Sequence, residues 1–363
     1  MAFHFSRPAR ARLAAGAVLS ALALSAAGCS LSGDDEPTPD AAASDGSTSG
    51  GDVVLVTHDS FSLPKKLIRA FESETGYTVV HTPAGDGGEL TSKLELTADH
   101  PLGDVAFGVD NTFAASALDA GVFAPYDAAL PAGADQYRLP GDEEHALTPV
   151  DTGEVCVNVD TAWFAERDLA PPADLDDLTD PAYEGLFVTP AATTSTPGMA
   201  FLLATIGQYG EGWTDYWSDL LANDAAIVKG WEDAYYVDFT YSGGDRPIVL
   251  SYDTSPAFTV EGGKTSTAAL LDTCFRQVEY AGVLEGAANP DGARALVDWL
   301  LSPEVQAALP TSMYVFPVDA DVALPKQWAA FAQQPTSTLE VAPDEIAENR
   351  RDWLSTWTEL TSR

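Results

Sequence analysis

Four loops hold the side chains most able to do chemistry. Thr57-His58-Asp59-Ser60-Phe61 follows an apolar, β-branched run at 53–57. Asp59 and Ser60 either cap the next helix, since their side-chain oxygens satisfy free N–H groups, or face a ligand. Gly108-Val109-Asp110-Asn111 closes a second such run. Asp110 is a carboxylate at the carboxyl end of an expected strand. It can accept from a ligand amine, offset a cation, or cap the helix that follows. Thr193-Thr194-Ser195-Thr196-Pro197-Gly198 opens a helix. Unfilled N–H groups and the helix dipole make such an end an anion site, and the hydroxyls of Ser195 and Thr196 add donors; plain capping is the alternative. The fourth loop group is aromatic: Trp231, Tyr235 and Tyr236, then Tyr252-Asp253-Thr254-Ser255-Pro256 and Phe258. Ring faces bind flat heteroaromatics by stacking and cations through their quadrupole. They are also common core material, and the Gly/Ser/Pro-rich settings of Trp231 and Tyr252 set those two apart.

The elements that must position these loops alternate. Strands are expected at 53–57, 77–82 and 104–108, with helices at 62–75, 89–99 and 111–121 between and after them. The first helix follows from Leu63, Leu67, Ala70 and Phe71 on one face, the 3.6-residue period of an amphipathic helix, with Gly76 as its stop. Strand–helix alternation predicts a parallel sheet covered by helices. Near residue 150 the rhythm changes. A strand at 152–159 leads into a second α/β unit with strands at 185–188, 247–252 and 273–280, helices at 198–209 and 213–223, and further helices at 291–301, 303–309 and 343–361. The pattern is an α/β fold of two lobes joined by crossings near 150 and 280. Residues 52–150 and 281–324 make lobe 1, 151–280 make lobe 2, and 325–363 form a C-terminal helical segment. Ligands of open α/β sheets bind beyond the carboxyl ends of strands, so two facing lobes place those ends around one cleft that a hinge can close.

Residues 1–29 stand outside that fold. Arg7, Arg10 and Arg12 precede an apolar stretch at 13–24 that is too short to span a bilayer and reads as an export signal. Ala26-Ala27-Gly28-Cys29 resembles the lipobox of bacterial lipoproteins, which makes Cys29 the expected lipidated residue and the protein extracytoplasmic and membrane-anchored. Residues 30–51 are rich in Ser, Gly, Asp and Pro; they cannot bury a core and read as a tether, reaching roughly 70 Å if extended. The remaining cysteines, Cys156 and Cys274, sit in strand-like runs. Outside the cytoplasm they are expected to pair across neighbouring strands; two buried free thiols are the alternative. The formal charge is −37, from 18 basic and 55 acidic residues. That balance argues against nucleic acid, whose phosphates need Lys and Arg, and keeps a chain soluble and monomeric.

Five stretches in register resemble one family: Asp59-Ser60-Phe61, Gly108-Val109-Asp110-Asn111, Thr194-Ser195-Thr196-Pro197-Gly198, Lys229-Gly230-Trp231-Glu232-Asp233-Ala234-Tyr235 and Leu250-Ser251-Tyr252-Asp253-Thr254-Ser255-Pro256-Ala257. With Ser302-Pro303, Gln306 and the ending Trp353…Trp357…Ser362-Arg363, they look like the thiamine-binding proteins of bacterial thiamine ABC transporters. The resemblance implies a type II periplasmic-binding-protein fold, thiamine or its mono- or diphosphate as ligand, an ABC permease as partner, and no cofactor, metal or catalysis. It places ligand contacts near His58, Asp110, Ser195, Trp231, Tyr252, Phe258 and Tyr314; Asp59, Ser60, Thr196, Tyr235 and Ser255 neighbour them in the same loops. His58 and Phe258 stand where the family has Tyr, and Tyr314 where it has Trp. Two rivals share the fold. A ferric-ion binder would use adjacent phenolates, such as Tyr235-Tyr236. A thiaminase-I-like enzyme would need a nucleophilic Cys open to the cleft, and both Cys156 and Cys274 lie inside strand-like runs.

Overall fold

The computed structural model describes residues 50–362. The export signal, Cys29 and the tether up to residue 49 lie outside them.

The chain begins with β1 (Gly51–Thr57), α1 (Lys65–Thr75), β2 (Tyr77–Pro83), α2 (Gly87–Leu96), β3 (Val105–Asp110), α3 (Ala114–Asp119) and the short β4 (Phe123–Ala124). β1 pairs in parallel with both β2 and β3. Two helices start later than expected, each for a local reason. Pro64 is extended at the head of α1, and a proline disfavours helix in the residue before it, so Ser62 and Leu63 stay outside. After β3, Asn111 behaves like a strand residue. Its N–H donates to Val278 O at 3.1 Å, its Oδ1 accepts from Val278 N–H at 2.7 Å, and its Nδ2 donates to Arg276 O at 3.2 Å. Helix α3 can begin only beyond that clamp. Gly76 ends α1 with φ 77° and returns its N–H to Glu72 O, as a left-handed helix stop does.

The chain then enters β5 (Thr148–Asp160), whose 13 residues are all buried, and α4 (Thr161–Glu166). A second α/β unit follows: β6 (Phe187–Pro190), α5 (Thr196–Tyr209), α6 (Trp213–Ala222), β7 (Ala226–Val228), β8 (Ile248–Tyr252), α7 (Ser255–Phe258) and β9 (Thr267–Ala269). β6 pairs in parallel with β7 and β8. β10 (Phe275–Leu284) returns to the first unit. After it come α8 (Pro290–Leu300), α9 (Pro303–Gln306), α10 (Leu309–Ser312), β11 (Phe316–Pro317), α11 (Trp328–Phe331) and α12 (Pro343–Thr361).

The strands form one sheet in the order β2-β1-β3-β10-β5-β8-β6-β7. Two parallel halves, β2-β1-β3 and β8-β6-β7, flank an antiparallel centre made of β10 and β5. The first half packs Val53, Leu55 and Phe107 against α8 residues such as Leu296 and Leu300. In the second half α5 is buried from Thr196 to Ile206 because sheet lies on one side and α6 with α12 on the other. Trp217 of α6 meets Trp357 of α12 edge-on at 5.5 Å. Burying side chains of this size removes roughly 150–250 Å² each from water.

Cys156 and Cys274 are joined, with Cα atoms 4.2 Å apart. Cys274 lies one residue before β10 rather than inside it. It continues the Val155↔Phe275 register by one step, so the bridge ties the β5–β10 crossing at its end.

Candidate ligand-binding site

A cavity of about 330 Å³ opens where the two halves face each other. Ten of the twelve residues singled out from sequence line it: His58, Asp59, Ser60, Thr196, Trp231, Tyr235, Tyr252, Ser255, Phe258 and Tyr314. Asp110 and Ser195 do not. Both are fully buried behind the wall, and Asp110 accepts at 2.9 Å from the hydroxyl of Thr112, two residues on. The sequence reading missed Asp86, Gln277 and Glu279, which also line the cavity. Asp86 stands in a Gly-rich loop, Gly85-Asp86-Gly87-Gly88, and Gln277 and Glu279 stand inside an expected strand, so neither setting marks a site.

The aromatic wall is built on one turn of π-type helix at Asp233–Asp238, a feature that concentrates at functional sites. At the head of this turn Trp231 stacks on Tyr235, with centroids 5.1 Å apart and planes 18° from parallel. Tyr236 stands edge-on to Trp231 at 5.2 Å. The indole N–H of Trp231 donates to Ser251 Oγ at 2.9 Å, and Ser251 meets Ser255 at 2.7 Å. Tyr252 donates its phenolic hydrogen to Gln277 Oε1 at 2.9 Å. Trp231 is thus fixed on its face by Tyr235 and at its edge by Ser251. At the far side, Tyr314 has φ 57°, a left-handed backbone that costs a non-glycine residue of order 1–3 kcal/mol. Thr254 donates to its carbonyl, and Trp328 stacks under its ring at 6.2 Å. The strain turns the Tyr314 ring edge-on to Phe258, 4.9 Å away.

The start of α5 departs from the anion site expected there. Asp86 of this same chain faces it. Its carboxylate caps α2 by accepting from Gly87 N–H at 2.6 Å and crosses the cavity to accept from Trp231 N–H at 2.8 Å, close to Ser195 and Thr196 at the head of α5. Burial pushes Asp86 up from the ordinary carboxylate range and those donors pull it back. Gly87 is required here, because a Cβ on it would lie 2.1 Å from Thr196 Oγ1. Further bonds close the mouth: Glu89 N–H to Thr194 O at 3.0 Å, Lys229 to Glu89 at 3.0 Å, and Ser60 to Glu232 at 3.3 Å.

An acid row lies beneath the cavity, and only Glu279 of it reaches the lining. On neighbouring strands the register sets Asp110 of β3 opposite Glu279 of β10, and Glu279 opposite Asp151 of β5. Directly paired residues project on one face of a sheet, so three buried carboxyls stand in a row. Burial pushes Asp110 and Asp151 up to about 7, and burial together with Asp151 raises Glu279 well above the carboxylate range. His58 approaches this row, its Nε2 3.4 Å from Glu279 Oε1. Gly108, at φ 101°, makes room, since a Cβ there would lie 2.2 Å from the imidazole.

This arrangement is a type II periplasmic-binding fold around a ring-walled, acid-floored trap. The chain belongs to the bacterial extracellular solute-binding protein family, whose model matches residues 100–335. Over 319 residues it is 30% identical to a thiamine-binding periplasmic protein of Salmonella typhimurium, covering 86% of this chain and 94% of that one. A solved periplasmic thiamin binding protein superposes with a TM-score of 0.76 at 29% identity over 86% of this chain and 96% of its own. A ferric binding protein from Campylobacter jejuni shares the fold, with a TM-score of 0.66 at 18% identity over 85% and 99% of the two chains.

Proposed function

We propose that this protein is an extracytoplasmic solute-binding protein that captures thiamine, or its phosphate esters, between the two halves of its sheet and delivers it to an ABC permease. The observation that carries this reading is the preset Trp231–Tyr235 stack above Glu279 and Asp86. A flat aminopyrimidine and a cationic thiazolium need a ring wall and a carboxylate, and the cavity offers both. The names of the relatives support the same ligand. Of the twelve residues first singled out, the ten that line the cavity are its proposed contacts, and Asp110 and Ser195 act from behind it. The halves serve as two lobes that hinge on β5 and β10. Cys29 carries the lipid, residues 30–51 tether the body to the membrane, and the protein works as a monomer.

Neither rival gains support from the site. Tyr235 and Tyr236 stand perpendicular at 87°, and Tyr235 backs Trp231 rather than pairing with Tyr236 toward one ion. Cys156 and Cys274 are bonded to each other, so neither is a free nucleophile.

Mass spectrometry of ligand released from protein purified without added vitamin tests the reading. Thiamine or an ester in the released fraction is expected. A different occupant, or failure of added thiamine to bind in calorimetry, overturns it.

A further inference from the structure

Among the described residues Asp151 has no donor for either carboxylate oxygen, although it is fully buried. A buried anion without donors costs far more than a neutral acid. The group facing it is another acid, Glu279, directly opposite on the next strand. Two carboxylates so placed cannot both ionise cheaply, and a proton on Glu279 supplies the donor that Asp151 lacks. The remaining titratable groups around Glu279 are His58 from the loop after β1, Asp110 on β3, Asp86 at the head of α2 and Tyr252 on β8. None of them is a fixed cation, and among the described residues no Lys or Arg lines the cavity. Unlike Asp151, Glu279 reaches the cavity surface.

We propose that Glu279 recognises the positive charge of the ligand and that capture expels the proton it shares with Asp151. This rests on the thiamine reading and names the group that makes the cavity selective for a cation. The exchange balances in charge: the acid pair, which shares one proton and carries one net negative charge, loses that proton to solvent, and the ligand's fixed positive charge replaces it beside the two carboxylates. Asp151 becomes the positioning residue that keeps the proton in place while the cavity is empty.

Calorimetry on the full chain, in buffers of different ionisation enthalpy near neutral pH, tests this with thiamine and with the neutral half-molecule 4-amino-5-hydroxymethyl-2-methylpyrimidine. Thiamine binding is expected to release about one proton, and binding of the neutral half none. Glu279→Gln is expected to abolish the release and to weaken thiamine by at least about tenfold more than it weakens the neutral half. Glu279→Asp is expected to keep part of the release. If Glu279→Gln fails to fold, the wild-type proton count decides alone. Thiamine binding without proton release, or release that persists in Glu279→Gln, overturns the proposal while leaving the thiamine reading intact. Absence of thiamine binding to the wild type overturns the thiamine reading.

Discussion

Asp86 and Trp231 belong to opposite halves of the sheet, and the carboxylate of one accepts from the backbone N–H of the other at 2.8 Å. The same carboxylate caps α2, so one side chain stabilises a helix and closes the mouth of the cavity. Asp86→Asn retains one acceptor oxygen for two donors and turns an NH₂ toward the other. Thiamine affinity is expected to fall by at least about tenfold, ~1.4 kcal/mol. Small-angle scattering should show a larger radius for the unliganded variant. Unchanged affinity and size would remove the latch from Asp86.

Trp231 sits on Tyr235 and hydrogen-bonds Ser251. Trp231→Ala removes the ring wall and is expected to weaken thiamine by about 10- to 100-fold, whereas Trp231→Phe keeps a stacking face and should lose less. Titration calorimetry ranks the three proteins. Equal affinities for Ala and Phe would show that stacking contributes nothing.

The Cys156–Cys274 bridge closes a loop of 118 residues, and in the chain-entropy account a loop of that order is worth ~4–5 kcal/mol through the unfolded state. Reduction, or the double Cys→Ala variant, should lower Tm by several degrees in differential scanning calorimetry. Because the bridge stands at the strand crossing, away from the cavity lining, thiamine affinity at 25 °C should hold.

The buried acids give stability a definite pH slope. Asp110 and Asp151 are pushed up to about 7 by burial, above the ~4 of an unfolded aspartate. The folded chain therefore holds protons that the unfolded chain releases. That stabilisation is complete below about pH 4 and is lost as pH rises through about 7. Unliganded protein is expected to melt at higher temperature at about pH 5.5 than at about pH 8, and Asp151→Asn should flatten the difference. A melting temperature that rises across this window would contradict the assignment.

Cys29→Ala should leave thiamine binding intact and shift the protein from the membrane fraction to the medium or periplasm. Retention in the membrane would point to another anchor.

Sequence periodicity made the strands and helices legible, since a period of two or of 3.6 survives any tertiary setting. The Gly76 stop and the closing helix 343–361 were read to the residue. What periodicity could not show was register. Glu279 shares its strand with Arg276 and Gln277, and only its pairing with Asp110 and Asp151 reveals an acid row. The same holds for Asp86: a Gly-Asp-Gly loop reads as a turn until the opposite half brings Trp231 N–H to it. Asp110 stood at a strand's carboxyl end, as a binding residue would, yet the Asn111 clamp onto β10 turns it inward. The π-type turn under Tyr235 and Tyr236 has no signature of spacing, because its extra residue is imposed by packing.

Helix α12 bears on both halves, but unequally. Trp357 is buried against Trp217 in the second half, and Arg350 reaches the first half, donating to Ser116 at 2.9 Å and lying 4.4 Å above the ring of Phe113. A helix seated by its indole in one half and pinned by a guanidinium to the other spans the back of the cleft. Side chains at the rear of the molecule, outside the cavity lining, thus tie the two halves together.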